Sequence, residues 1–386
     1  MTSPFIAQLK NSYWAWRSEI RRRARIAVAD IVELAGPVLH KIRMARSFTR
    51  NVLLLMRARY FPRTGQPVVI ALTEHMGDIV AAQPIAHYLR GRHPEANLIW
   101  VVRRPFVKLV QSFGEVDTVI GVECINEWAW LRDAKVVQLH YDLHVNRRVC
   151  PICKNEIVRE TGNPDIDTVN YFSYGNLLAV MCQNAGIPIL DSSPRLVLSG
   201  EAPAAVDALG LPEEFIAIHV SSNEVARDWS VDKWKELLQW IIDNTSMAVV
   251  EVGLKAGVHA SSPRFLDLCG KLSILETAEV LRRAKVFVGV DSGPAHLAHA
   301  VATPAVIMKG AYRIFERYDS FSGEYSNGRL ATIINAIGPA INVTVDDVIV
   351  ALKQRLSVAT STDASHRIAD ERPVLDDKSP VSLLSN

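Results

Sequence analysis

Val288-Gly-Val-Asp-Ser-Gly-Pro-Ala-His-Leu-Ala-His299 reads as a buried strand that turns directly into a helix. The apolar run ends at Val290, Asp291-Ser292-Gly293 makes the turn, and Pro294 takes the first helical position, where its missing N–H costs nothing. The amides of Ser292 to Ala295, with the helix dipole behind them, form a ready site for a phosphate. His296, in the first turn, can donate to the same anion. The alternative is a capped core helix, with Asp291 as the cap and His296 satisfied inside.

The same strand-to-helix texture extends to both sides. Toward the N-terminus lie Phe215–Val220 (strand), Val231–Asn244 (helix, capped by Ser230), Met247–Val252 (strand) and Leu275–Arg283 (helix). Ala305–Met308 closes this series. An earlier series runs through Val68–Leu72, a helix from Asp78 to Arg92, Leu98–Val102, a helix near Phe106 to Phe113, Thr118–Val122, a helix near Trp128, and Val136–Leu139. Continuous apolar strands alternating with helices indicate parallel sheets covered on both faces. The expectation is an α/β chain with two Rossmann-like doubly wound domains facing a cleft. The expected boundaries are a basic helical extension over 1–66, a first Rossmann-like domain over 67–200, a second over 201–356 and a disordered tail over 357–386. Ligands of such sheets sit at the carboxyl ends of the strands.

Composition sets outer limits. With 49% hydrophobic and 22% charged residues among 386, a wholly disordered chain is excluded, and no apolar run reaches the roughly 18 residues of a membrane span. Residues 1–66 hold 13 Lys/Arg against three acids, a charge of +10, and the remaining residues carry −8. A basic arm on a mildly acidic body points to an anionic partner. Within the arm, Phe5, Leu9, Trp14, Trp16 and Ile20 mix with Arg clusters, and a second helical stretch runs from Val38 to about Tyr60 beyond Gly36-Pro37. This suits a helix lying in a lipid interface; alternatively the arm packs on the body or on another subunit. Five irregularly spaced cysteines and no compact apolar leader point to the reducing cytoplasm, with a peripheral position on the inner membrane face. No nucleic-acid module accompanies the basic arm.

Two further turns carry polar groups at strand ends. In Thr73-Glu-His-Met-Gly-Asp-Ile-Val80, Gly77 permits close backbone approach and Asp78 stands at a helix start, able to take a proton from an attacking hydroxyl or simply to complement the dipole. Ser221-Ser-Asn-Glu-Val-Ala-Arg-Asp-Trp229 offers hydroxyls, including that of Ser222, an amide and Arg227, the groups a diphosphate needs, or else is a solvent loop before the Ser230 cap.

The Met-Gly-Asp-Ile-Val turn, the Arg-Asp-Trp loop and Val-Gly-Val-Asp-Ser-Gly-Pro-Ala-His-Leu-Ala together resemble the heptosyltransferase-type glycosyltransferases of family 9, over roughly residues 67 to 356. The resemblance implies a GT-B fold and an inverting, metal-independent transfer with no cofactor. The donor would be a nucleotide-linked sugar such as ADP-heptose, and the acceptor lipopolysaccharide or another lipid-linked glycan. It implies Asp78 as general base, and Ser222, Arg227, Asp291, Ser292, Gly293 and His296 as holders of the donor diphosphate. Relatives usually carry an acid for the ribose just after the Met247–Val252 strand; here Gly253-Leu-Lys-Ala-Gly257 offers Lys255 instead. A catalytically silent GT-B protein that binds nucleotide or glycan is the alternative. No Gly-x-Gly-x-x-Gly follows the first strand, which argues against a nicotinamide oxidoreductase.

His140, His144, Cys150 and Cys153 have the ligand types of a Cys2His2 zinc site, although only five residues separate the pairs where about twelve are usual. The alternative is ordinary loop residues near the acceptor.

Overall fold

The computed structural model describes residues 38–62 and 65–370, so the expectations for residues 1–37 and 371–386 lie outside the described residues. Two compact units divide the chain. The first comprises the residues up to Glu74 with Ile85–Tyr171 and Met181–Pro188; the second comprises His75–Pro84, Phe172–Val180 and the chain from Ile189 onward.

The first unit holds a parallel sheet of β1 (Pro67–Ala71), β2 (Asn97–Arg103), β3 (Thr118–Val122) and β4 (Leu139–Asp142) in the order β3-β2-β1-β4. β1 is buried along its whole length, as a strand covered on both faces must be. The fourth strand starts at Leu139, which pairs with Val68, whereas Val136 and Val137 pack as side-chain cover on the core around Trp128 and Leu131. Residues 38–60 form one helix, and His40, Met44, Ser47, Asn51 and Leu55 make a buried stripe at helical spacing along it. Asn51 fixes the helix by donating to Glu127 Oε1 (2.8 Å) and to the Gly121 carbonyl (3.2 Å). Burial pushes the Glu127 carboxyl up. One side of this basic stretch therefore packs on the body. A two-stranded hairpin, β5 (Arg148–Val149) with β6 (Glu156–Ile157), follows the sheet.

The helix expected over 78–92 is two helices, Met76–Ala81 and Gln83–Arg92. Pro84 explains the break: it has no N–H to continue the ladder, and its ring would meet the carbonyl of Val80.

The second unit is built on β7 (Phe215–His219), β8 (Ala248–Glu251), β9 (Phe265–Asp267), β10 (Val286–Val290), β11 (Ala305–Lys309) and β12 (Ala331–Asn335). All pair in parallel in the order β9-β8-β7-β10-β11-β12. The order reverses between β7 and β10, and that switch point is where an open α/β sheet leaves a crevice. β9 and β12 extend the series read from the sequence; they are the edge strands and only partly buried. Ser230 caps the Val231–Asn244 helix by accepting from the Lys233 N–H, and Ser273 with Glu276 forms a capping box on Ile274–Arg283. Ile216, Ile218, Val288 and Val290 from the strands meet Trp234, Leu237 and Ile241 in one buried core, each such side chain contributing about 1.5–3 kcal/mol. The last helix runs Val345–Asp370, past residue 357. Among the described residues no helix is long and apolar enough to cross a membrane.

Candidate functional site

The loops leaving β7 and β10 carry the site. After β10, Ser292 is the N-cap of the Gly293–Ala300 helix, which places Pro294 second rather than first in the helix. The N–H groups of Ala295 and His296 already bond the Ser292 carbonyl (3.1 and 3.4 Å), so the amides that the turn leaves to a ligand are those of Ser292 and Gly293. Asp291 is not the cap. Its buried carboxylate accepts from the Tyr318 hydroxyl (2.5 Å) and the Ser320 hydroxyl (3.1 Å), and lies 3.6 Å from Nη1 of Arg227. Arg227, at the end of a short 3-10 turn after β7, stacks its guanidinium on Tyr312 at 4.7 Å and donates to Asn223. Burial alone would lower its pKa; Asp291, then Tyr318 and Tyr312, outweigh that and hold it above the ordinary value. A cation this enclosed is tolerated only with such partners.

His296 is buried, tilted over Phe321 with ring centroids 4.7 Å apart, and its Nδ1 has no hydrogen-bond partner among the described residues. Burial lowers its pKa, against the pull of Asp291 and Asp78, so the ring is neutral at pH 7 and can donate from one nitrogen. The Met76-Gly77-Asp78 turn belongs to the same unit and lies against it. A Cβ on Gly77 would stand 2.7 Å from Cδ2 of His296, and one on Gly293 would stand 2.3 Å from Cε of Met76. Both glycines are there because two helix starts approach backbone to side chain. Asp78 accepts from the His75 N–H (3.2 Å) and sits 3.7 Å from His75 Nδ1, with its side chain 29% exposed. The structure thus brings Gly77, Asp78, Arg227, Asp291, Ser292, Gly293 and His296 together. Ser222 is committed elsewhere: its hydroxyl donates to the Glu224 carbonyl (2.9 Å) and receives the Glu224 N–H, shaping the loop itself.

Residues 175–312 match the family model described as glycosyltransferase family 9 (heptosyltransferase). That segment is similar to glycosyltransferase family 9. Lipopolysaccharide heptosyltransferase 3 of Escherichia coli (strain K12) is 29% identical over 119 residues, which are 28% of this chain and 33% of that protein; the match thus spans about a third of the curated relative. Among solved structures, the family 9 glycosyl transferase from Veillonella parvula DSM 2008 superposes with a TM-score of 0.59 at 16% identity, covering 75% of this chain and 97% of that one. The E. coli ADP-heptose lps heptosyltransferase II does so with a TM-score of 0.56 at 18% identity, covering 75% and 98%. These likenesses show the GT-B fold.

The segment matched by the family 9 model contains Arg227, Asp291 and His296, but several residues that hold them were not singled out in the sequence. Tyr318 and Ser320 lie on the stretch after β11, and Lys309 ends that strand. Lys309 is buried beneath the Tyr318 ring (Nζ 4.9 Å from the centroid), donates to the Tyr318 carbonyl and lies 3.3 Å from Asp319. A lysine closing an all-apolar run, Ala305–Met308, was the available signal. His299, one turn beyond His296, stacks on Tyr325 at 4.2 Å, and burial, with His296 adding to it, lowers its pKa to about 3.

The Cys-x-x-Cys keeps different company from that expected. In the first unit His144 has both ring nitrogens occupied, Nδ1 by Asp142 (2.7 Å) and Nε2 by the Thr73 N–H (2.9 Å), and so offers no ligand atom. His140 stands edge-on to Trp128, with burial lowering its pKa. Cys153 lies instead beside Cys124 and His40.

Proposed function

We propose that the chain moves a heptose-like sugar from a nucleotide diphosphate donor, ADP-heptose being the model, onto a lipopolysaccharide or other lipid-linked acceptor, with inversion and without a divalent metal. One observation carries this reading: a buried guanidinium, clamped by Asp291 and Tyr312, stands at the switch point beside the open amides of Ser292 and Gly293. As the sugar C1–O bond lengthens, negative charge develops on the departing diphosphate. Arg227, the two amides and a hydrogen bond from His296 stabilise it where it appears, and they are preorganised to do so. These cationic and N–H groups take the part that a divalent ion plays elsewhere. Asp78, partly exposed on the turn packed against His296, accepts the proton of the attacking acceptor hydroxyl, and attack opposite the leaving group inverts C1.

The lipid-linked acceptor is supported by the outer face of the 38–60 helix. Leu39, Ile42, Leu53, Leu54 and Met56 are exposed there among Arg43, Arg46, Arg50 and Arg57, a pattern that suits the anionic inner face of the cytoplasmic membrane. Salt above physiological strength should release the protein from acidic vesicles; binding indifferent to salt would argue against this role. The decisive experiment is transfer from a panel of nucleotide sugars by wild type and Asp78→Asn. The substitution should cost about 10²–10⁴ in transfer rate and leave donor affinity within about twofold. Unchanged turnover would remove Asp78 as the base, and failure of every nucleotide sugar to raise the melting temperature would remove the transferase reading.

A further inference from the structure

His40, Cys124, Cys150 and Cys153 come from three distant stretches of sequence and meet in the first unit; none belongs to the anion site. Cys150-Pro-Ile-Cys153-Lys154 is the tip of the β5–β6 hairpin. The Lys154 N–H bonds the Cys150 carbonyl (2.9 Å), the Cys150 N–H bonds the Asn155 carbonyl (2.9 Å), and Lys154 takes a left-handed φ of +62° that lets the chain return. The Cys153 N–H points at the Cys150 sulfur (3.4 Å). Both sulfurs are thereby presented at one tip, with a backbone amide already directed at one of them.

Cys124, the N-cap of the Ile125–Asp133 helix, brings its sulfur to 3.6 Å from that of Cys153. His40, on the first turn of the 38–60 helix, brings Nε2 to 3.4 Å from the same sulfur. The ligand atoms of His40, Cys124 and Cys153 all lie within 4.8 Å of one another. A tetrahedral ion with metal–sulfur bonds of about 2.3 Å and metal–nitrogen bonds of about 2.0 Å sets its sulfurs about 3.8 Å apart and sulfur to nitrogen about 3.5 Å apart. The spacings among His40, Cys124 and Cys153 match both, and 3.6 Å is far beyond a disulfide's length of about 2.05 Å. Met44, Ile125 and Ile157 close around the group as an apolar shell.

We propose that His40, Cys124, Cys150 and Cys153 bind one structural zinc ion in a closed Cys3His site that staples the 38–60 helix to the hairpin and to the helix start at Cys124. Thiolate and imidazole ligands in tetrahedral array select zinc among abundant divalent ions, and four protein ligands leave no open position for catalysis.

The test is metal analysis of the full chain purified without chelator. About one equivalent of zinc is expected, released on modification of the thiols, and cobalt should replace it with the intense visible bands and thiolate charge-transfer absorption of a tetrahedral site. His40→Asn and Cys124→Ser should each lose more than about half of the bound zinc, whereas Cys182→Ser, buried away from the group, should keep it. Should Cys124→Ser fail to fold, the wild-type zinc content and cobalt spectrum still decide. Less than about a tenth of an equivalent of zinc with no cobalt spectrum on folded protein would overturn the proposal, as would an equivalent of iron in place of zinc, or an intact mass showing a disulfide among these cysteines.

Discussion

Gly77→Ala is the sharpest probe of the anion site, because its effect on stability changes sign with the packing. Gly77 lies in the Met76–Ala81 helix and has no left-handed φ, so where there is room a methyl group should stabilise the protein by about 0.4–1 kcal/mol. Here the Cβ would stand 2.7 Å from Cδ2 of His296, about 0.7 Å inside the 3.4 Å at which ordinary contact begins. The imidazole cannot simply retreat, since Phe321 lies across it at 4.7 Å. Overpacking of this kind costs about 1–3 kcal/mol, so the net expectation is a loss of about 1–2 kcal/mol. If His296 holds the leaving diphosphate as proposed, a displacement of most of an ångström should also cost up to about 10²-fold in rate. The assay pairs urea unfolding with transfer kinetics, and Gly91→Ala serves as the control. Gly91 is also helical, with nothing within 4 Å of its Cβ, and should gain stability at unchanged rate. If both variants gained stability and both turned over normally, the close approach of Gly77 to His296 would be refuted, and with it the placement of Asp78 beside the phosphate site.

Two further outcomes follow from buried polar groups. His299 has its pKa lowered to about 3 in the folded state, against 6.5 for a free imidazole; the unfolded chain therefore binds the proton first, and stability present above pH 6.5 is lost as pH falls. Urea unfolding between pH 7 and pH 4.5 should show a slope up to about 1.4 kcal/mol per unit shallower in His299→Gln than in wild type, and equal slopes would mean that His299 protonates freely in the fold. Asn51→Leu strips a donor from buried Glu127 and from the Gly121 carbonyl, and should cost about 1–3 kcal/mol in chemical unfolding; a neutral result would mean that the 38–60 helix is not seated on the sheet.

How far the sequence could be read depended on whether partners were close along the chain. β1, β2, β7, β10 and β11 were legible because each is a continuous apolar run. β9 is three residues long and β12 faces solvent along part of its length, so neither stood out. The Ser230 cap and the 38–60 helix were local patterns and emerged as expected. Arg227 and His296 stood out in the sequence because both follow apolar strands at turns into helices. What holds them did not: the alternative of Asp291 as a cap stayed open because its real partners, Tyr318 and Ser320, are 27 and 29 residues away. The thiol group failed in the same way. Spacing offered the nearby His140 and His144 to Cys150 and Cys153, whereas the histidine beside Cys153 comes from 113 residues upstream.

The roles of Asp291 and Arg227 are physically inseparable. A guanidinium with a side chain only 13% exposed would be too costly to hold as a cation without a counter-charge, and a carboxylate only 2% exposed would be too costly without donors. Tyr318 and Ser320 fill the acceptor sites of the carboxylate that Arg227, at 3.6 Å, does not close upon, so the pair is satisfied without a tight bidentate clasp. The guanidinium thus keeps donor capacity, including an Nε with no partner among the described residues, while its plane is fixed by Tyr312. That arrangement is what an anion site requires: a cation kept charged and oriented by one carboxylate, with N–H groups left to donate. A purely structural ion pair would be expected to spend those donors internally. The orphaned Nδ1 of His296 and the open amides of Ser292 and Gly293 leave donor and acceptor capacity at the same switch point, and a diphosphate has the charge and the oxygens to use it.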